Sequence, residues 1–369
     1  MPAMTEATAT ATQPRSGSSS DLVADDAAWD AFVAASVAPS YLQATPWARV
    51  KRPNGWRSVR IVAPGDNGIA NGAGTEPVGA QLLLRRPRGL PKAFAYAARG
   101  PLSPASLDAV AIRRFTEAVR AEAPRHGISH VRIDPEVEDP DGSLAAALAG
   151  AGWRPGPPIQ PPSTRIVDLT PPEDDVWQGI HRKWRQSITK AGRDGTTVVA
   201  AGVERIAEFH QIHAISARRA GIPFRAVRTY RDLWTAFAPA GHAHLYFAAS
   251  PEGESLATIF LVGWGNRVVD LYGGMTDAGA KRRANYLIKW EAIKRVRDSG
   301  YELYDLWGLP SPAIAQFKSG WGGREVEYVG AWDLVIDRIG RTLFEAAVKA
   351  RSRLLGLGRG EHERGTPES

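Results

Sequence analysis

Arg267-Val-Val-Asp-Leu-Tyr-Gly-Gly274 and, beyond a helix-forming stretch, Gly300-Tyr-Glu-Leu-Tyr-Asp305 decide the fold. The first reads as a strand that ends in a glycine turn, and it follows another strand over Leu256 to Val262. The apolar spacing predicts a helix over about Ala284 to Asp298, and Gly300 supplies the glycine that commonly closes one. The same order occurs once before. Gly79 to Leu84 and Ala93 to Ala98 read as strands, with a turn at Arg99-Gly100. A helix over about Ser106 to Arg125 follows, then Gly127 and the strand His130-Val-Arg-Ile-Asp134. Each half therefore runs strand, strand, glycine turn, helix, glycine, strand, with an aspartate at the last strand's end. The echo predicts a duplicated α/β fold in which a mixed, twisted sheet flanked by helices occurs twice.

The rest of the chain fits two domains of ordinary globular composition. It has 369 residues, 43% hydrophobic and 23% charged, enough to bury a sizeable core. No run of about 18 apolar residues exists to span a membrane. Met1 to Ser20 is rich in Ala, Thr and Ser without an apolar centre, and reads as a disordered leader rather than a signal peptide. Cysteine is absent, which excludes disulfides, thiol catalysis and thiolate metal sites. The four prolines within Gly156 to Pro162 mark an interdomain crossing, Asp66 to Glu76 reads as a long hairpin loop, and the tail after Arg353 turns polar. The predicted units are a leader (1–20), a first domain (21–163) completed by about 331–353, a second domain (164–330) and a flexible tail (354–369).

Between the halves, Thr170-Pro171-Pro172-Glu173 has the form of a capping box with proline at the first helical position. One helix is predicted to follow, with Trp177, Ile180, Trp184, Ile188 and Ala191 on one face. Arg182, Lys183, Lys190 and Arg193 gather opposite, with Arg185 at the edge. A surface helix with solvated cations and a ridge for a phosphate-bearing partner both account for that face. The net charge of +7 and pI near 9.7 are open to the same two readings.

The residues give few direct signs of chemistry. There is no Gly-x-Ser-x-Gly elbow, no Gly-x-x-x-x-Gly-Lys loop and no Gly-x-Gly-x-x-Gly after a strand. His210 and His213 stand three apart on a predicted helix but lack a third metal ligand, so no metal is expected. Asp134 and Asp305 close their strands, where open α/β sheets place ligand contacts and where capping carboxylates also sit. Lys318 lies in Ala315-Gln-Phe-Lys-Ser-Gly-Trp-Gly-Gly323, flanked by rings and flexible backbone, and reads as a positioned cation or an ordinary surface lysine.

Taken in order, several segments resemble the Fem-type peptidoglycan-bridge aminoacyltransferases. They are Gln43-Ala-Thr-Pro-Trp47-Ala-Arg-Val-Lys51 with Gly55-Trp56, Ala95-Tyr96-Ala-Ala-Arg-Gly100-Pro101 and Arg132-Ile-Asp134-Pro135-Glu136. Lys183-Trp-Arg185-Gln-Ser-Ile188-Thr-Lys190-Ala191 with Gly195 and Leu271-Tyr272-Gly273-Gly274 follow. Tyr304-Asp305-Leu-Trp-Gly308, Phe317-Lys318 and Glu327-Tyr-Val-Gly330 complete the set. The resemblance implies two tandem GNAT-like acyltransferase domains, with the chain's end returning to the first. It implies transfer of glycine, alanine or serine from aminoacyl-tRNA to a side-chain amine on the stem peptide of a lipid- or UDP-linked muropeptide. No cofactor, metal or DNA partner is implied. The expected location is the cytoplasm, with possible peripheral association at the inner membrane face.

By the same resemblance, Lys51, Arg225, Tyr230 and Tyr272 hold the phosphates and sugar of the precursor, beside Phe317. Lys318 lies near the transferring ester and Asp134 handles the acceptor, the pair expected to be catalytic. Arg182, Lys183, Arg185 and Lys190 are candidate tRNA contacts. No stretch is long enough for the helical-hairpin arm of some members. Ala280-Lys-Arg-Arg-Ala284 stands where CoA-using relatives keep a glycine-containing pyrophosphate loop, but lacks the glycines. An acyl-CoA-dependent N-acyltransferase of the same fold and a non-catalytic muropeptide- or RNA-binding protein are the alternatives.

Overall fold

The computed structural model describes residues 19–66, 75–221 and 224–354. The first-half elements are α1 (Ser19–Ala24), α2 (Asp26–Ala35), α3 (Thr45–Lys51), β1 (Arg57–Ala63), β2 (Val78–Arg85), β3 (Ala93–Ala97), α4 (Ala109–His126), β4 (Ile128–Ile133), α5 (Ser143–Gly150), β5 (Arg154–Pro155) and β6 (Ser163–Asp168). Next come α6 (Glu173–Gly179), α7 (Arg182–Arg193), β7 (Thr197–Ala201), α8 (Ile206–Ala220), α9 (Val227–Phe237), β8 (Ala243–Ala249), β9 (Ser255–Trp264) and β10 (Arg267–Met275). The chain ends with α10 (Asp277–Lys281), α11 (Ala284–Asp298), β11 (Leu303–Asp305), α12 (Pro312–Ser319), β12 (Arg324–Glu327), β13 (Trp332–Val335) and α13 (Arg338–Leu354).

The echo is a real repeat. β2 and β3 pair antiparallel and β3 and β4 parallel, joined by α4; β9, β10, α11 and β11 repeat that order and those directions. Local chemistry explains the boundaries. Asp108 caps α4 by accepting from the Ala111 N–H at 2.8 Å, and Gly127 ends it at φ +66, a conformation that costs glycine little. β2 is buried along nearly its whole length and is apolar except for Gln81 and the terminal Arg85, as a central strand covered on both faces must be.

The chain crosses from the first sheet to the second and returns once. In the order β1-β2-β3-β4-β13-β5, the returning strand β13 sits beside β4. In the order β12-β6-β11-β10-β9-β8-β7, β6, the first strand after the proline-rich crossing, sits beside β11. Arg132 on β4 holds Asp333 on β13 through two hydrogen bonds of 2.7 and 2.9 Å, with Asp333 buried. A third core joins the halves, with Trp29, Tyr41 and Tyr96 packed in one cluster with Phe209, Tyr230 and Phe260.

The single helix expected after Thr170 is instead two. Ile180 adopts ψ 135, the His181 N–H bonds to the Gly320 carbonyl at 2.8 Å, and the His181 imidazole caps α7. The chain after α12 thus competes for the backbone at that point and breaks the helix. Thr170 bonds to Asp168 rather than capping, and α6 starts behind Pro172. Asp66 and Thr75 pair across the neck of the expected loop. Its centre, residues 67–74, most of the leader and all of the tail after residue 354 lie outside the described residues.

Because β13 returns to the first sheet after the chain has built the second, the halves should unfold together. Calorimetry should give one transition; two well-separated transitions would contradict the coupling.

Candidate active site

The seam between the sheets is built on charge. Arg267, at the start of β10, donates to Glu136 at 3.0 and 3.3 Å, to the Tyr328 hydroxyl at 2.8 Å and to Asp305. Arg99 reaches the same Glu136 at 3.1 Å and the Pro161 carbonyl at 2.9 Å. All these charged groups are buried. Burial alone would lower the Arg267 pKa, but the facing carboxylates of Glu136 and Asp305 overcome it and push it well up.

Both echoed aspartates belong to this framework. Asp305 also accepts from the Thr164 hydroxyl and from the Trp307 N–H at 2.8 Å. Asp134 is 4% exposed and accepts from the Tyr96 hydroxyl at 2.6 Å and the Arg99 N–H at 2.7 Å. Burial raises its pKa. The resemblance has Asp134 handling the acceptor; in the structure one oxygen meets the Tyr96 hydroxyl of β3 and the other the N–H of Arg99 in the turn that follows. Gln43, from the motif before α3, is equally occupied: its amide bonds to the Ala98 carbonyl at 2.7 Å and accepts from the Gln81 N–H at 2.7 Å.

The residues expected to hold the precursor come together across the seam. α3 carries Trp47 and Lys51 against α9, and the Lys51 ammonium lies 4.8 Å from the Trp47 ring centroid. Tyr41 meets Trp47 edge-on at 5.6 Å, Phe237 at 5.9 Å and Trp307 at 6.3 Å. Tyr230 and Tyr272 meet edge to face at 5.0 Å. Arg225 joins them: its N–H donates to the Tyr230 hydroxyl at 3.1 Å and its side chain bonds to Tyr272. Burial pushes the Tyr230 hydroxyl up to about 12, so it stays protonated. His210 and His213 bond instead to the carbonyls of Arg225 and Gly273, at 3.0 and 2.9 Å. Among the described residues no group of side chains could hold a metal.

The second sheet opens where β10 outruns its neighbour. β11 ends at Asp305 opposite Val269, while β10 continues to Met275 through a bulge between Asp270 and Tyr272. The gap leaves a cavity of about 410 Å³, lined by Asp270, Gly273, Gly274, Lys289 and Phe317 among others. Asp270 is held by the Lys289 ammonium and, at 3.1 Å, by the Tyr304 hydroxyl. Lys318 follows Phe317 and donates to the carbonyls of Trp307 and, at 2.6 Å, Gly308. Burial lowers its pKa to about 8, with Lys289 adding to the effect and Asp270 and Asp305 opposing it. The Trp184 indole of α7 donates to the Phe317 carbonyl at 3.2 Å, which ties the basic helix to this wall. Arg182, Lys183 and Lys190 are exposed on α7; Lys190 pairs with Asp194 at 3.1 Å and Arg185 bonds to Gln178.

Residues 179–319 match the family model described as an acetyltransferase (GNAT) domain. The fold superposes on a crystal structure of FemX with a TM-score of 0.77, covering 87% of this chain and 98% of that one at 20% identity. A lipid II:glycine glycyltransferase of Staphylococcus haemolyticus is 23% identical over 89% of this chain and 97% of its own length. By sequence and by fold, this chain is a homologue of the Fem-type transferases. A UDP-N-acetylmuramoylpentapeptide-lysine N(6)-alanyltransferase of Weissella viridescens is 27% identical over 79% of this chain and 88% of its own. The fold class is thus two GNAT-like units in tandem, in a family whose named members are transferases.

Sequence reasoning missed several parts of this site. Arg99, Glu136 and Tyr328 lie within the resembling motifs and Arg267 opens a predicted strand, but none was given a role, because their partners lie far apart in the chain. Asp270 did carry a signal: a lone charge inside an otherwise apolar strand marks a bulge or an inward-facing polar group. Replacing Arg267 by Ala would leave Glu136 and Asp305 facing each other in the seam with that charge uncompensated. The expected cost is roughly 3–5 kcal/mol, measurable as a lowered denaturation midpoint; an unchanged midpoint would refute the seam's role.

Proposed function

We propose that this chain transfers an amino acid from aminoacyl-tRNA to the side-chain amine of the stem peptide in a lipid- or UDP-linked muropeptide. The observation that carries the reading is the cavity walled by Phe317, the neighbour of Lys318, and by Gly273, the neighbour of Tyr272 in the Arg225, Tyr230 and Tyr272 cluster. The names of the relatives, a lipid II:glycine glycyltransferase and a muramoylpentapeptide-lysine alanyltransferase, support the acceptor class.

In this reading the cluster binds the precursor's phosphates and sugar, and the cavity takes the aminoacyl ester. The neutral acceptor amine attacks the ester carbonyl, a C–N bond forms, the C–O bond to the ribose breaks, and the amine's proton ends on the departing ribose oxygen. Esters of this kind are already activated, so placement and charge supply the catalysis. The Lys318 ammonium opposes the developing oxyanion. Asp134 acts as a positioning residue: it fixes the turn that holds Arg99. The exposed cations of α7, Arg182, Lys183 and Lys190 with Arg185 beside them, take the tRNA backbone. The enzyme works in the cytoplasm, and a lipid-linked acceptor would draw its basic surface to the inner membrane face.

The direct test supplies tRNA charged with radiolabelled glycine, alanine or serine together with a purified precursor. RNase-sensitive label on the precursor is the expected outcome. No transfer to either acceptor form, with CoA raising the melting temperature, would favour the acyl-CoA reading, which the GNAT match and the cavity also accommodate.

Lys318→Met should lower kcat/KM about 10²- to 10³-fold, the usual cost of losing one oxyanion-stabilising group. The pH profile follows from its depressed pKa. Below about 8 Lys318 carries its charge, and the rate climbs as the acceptor amine loses its proton. Above that, loss of the Lys318 charge cancels the gain, so the profile should level off. In Lys318→Arg, whose side chain stays charged, the climb should continue.

Replacing Arg182 and Lys183 by Gln should weaken tRNA binding and reduce the salt dependence of its affinity by about one unit of slope per lost phosphate contact. An unchanged slope would remove α7 from the donor site.

A further inference from the structure

Trp307 stands between the two halves of the proposed site. It is one of three residues other than glycine with positive φ among those described, at φ +51. Bulky side chains rarely accept that conformation, and such outliers persist where surroundings impose them. Here the Asp305 carboxylate takes the Trp307 N–H at 2.8 Å. Gly308 continues the left-handed turn at φ +66, where a Cβ would lie 2.9 Å from Pro161. The result is two successive carbonyls, those of Trp307 and Gly308, both accepting from the Lys318 ammonium. The Arg99 guanidinium stacks 5.2 Å from the indole ring centroid, and the Tyr41 ring lies 6.3 Å away.

We propose that Trp307 is the positioning residue that couples the acceptor groove to Lys318: its indole braces Arg99 and Tyr41 while its carbonyl holds the lysine at the transfer site. The inference rests on the acyl-transfer reading above. Trp307 need not touch either substrate. It acts by keeping Lys318 aimed and shielded from water, with Asp270, Lys289 and Asp305 the charged groups nearest that lysine.

Trp307→Gly separates the two roles, because glycine accepts the left-handed backbone and keeps both carbonyls but removes the ring. The acceptor KM should rise about tenfold, on the scale of a lost aromatic and cation–π contact. Water admitted to Lys318 should also move the levelling-off of the pH profile upward from about 8, towards an ordinary lysine. Trp307→Phe should restore most of both properties. A purely structural role would lower the rate without moving KM or the profile, and that result would overturn the proposal. Absence of transfer from charged tRNA by the wild-type enzyme would instead sink the donor reading. Calorimetric titration of wild type and Trp307→Gly with UDP-linked pentapeptide would then still decide: a tenfold weaker affinity upholds the groove contact, and equal affinity refutes it.

Discussion

Arg267 satisfies two carboxylates from opposite halves of the chain, Glu136 behind β4 and Asp305 at the end of β11, and both are shut away from water. A buried guanidinium with two such partners leaves little freedom in how the sheets meet, since parting them would strand charge in a medium that solvates it poorly. Arg99 shares Glu136, so the groove turn is tied to the same point. The returning strand adds backbone hydrogen bonds to this constraint: β13 leaves the second sheet behind to pair with β4 in the first. The acceptor-side cluster needs the seam because Tyr41 and Lys51 come from one half and Arg225, Tyr230 and Tyr272 from the other. A site divided in this way is only as accurate as the joint between its parts.

How much of this was legible in the sequence follows from the range of each interaction. The repeat was legible because strand, turn and helix signals act within a few residues; the helix over Ala284 to Asp298 has the bounds its spacing and following glycine imply. The break between α6 and α7 was not, because its cause is the Gly320 carbonyl, remote in sequence and able to take the His181 N–H only once the chain has folded. The return of the chain was implied only by resemblance, because the pairing of β13 with β4 joins residues far apart in the chain, which periodicity does not encode.

The site divides along the same line. Lys51, Tyr230 and Tyr272 stood out only through ordered family resemblance, whereas the rings and glycines around Lys318 also marked it as a positioned cation or an ordinary surface lysine. The cavity walled by Phe317, next to Lys318, depends on β10 continuing past β11, a matter of register rather than composition. Asp134 reads in the sequence as a ligand contact or a capping carboxylate, and in the structure it accepts from the Tyr96 hydroxyl and the Arg99 N–H.

The duplicated fold therefore contains two aspartates in corresponding places, and the cavity of about 410 Å³ lies beside the second sheet's β10. In the first sheet β3 ends at Ala97, paired with Ile133, so the parallel strands stay closed to the end. In the second, β10 runs on beyond the last β11 pair and bulges at Asp270, which separates the strands. Asp134 turns its carboxylate to the backbone of the turn after β3, whereas Asp305 turns one oxygen to Arg267 across the seam and the other to the turn that carries Trp307. One copy of the motif thus fixes Arg99 and the other fixes the loop that holds Lys318, and the two meet where Arg99 stacks on Trp307. Duplication supplied a pair of similar scaffolds; the length of one strand past its neighbour made the second of them a container.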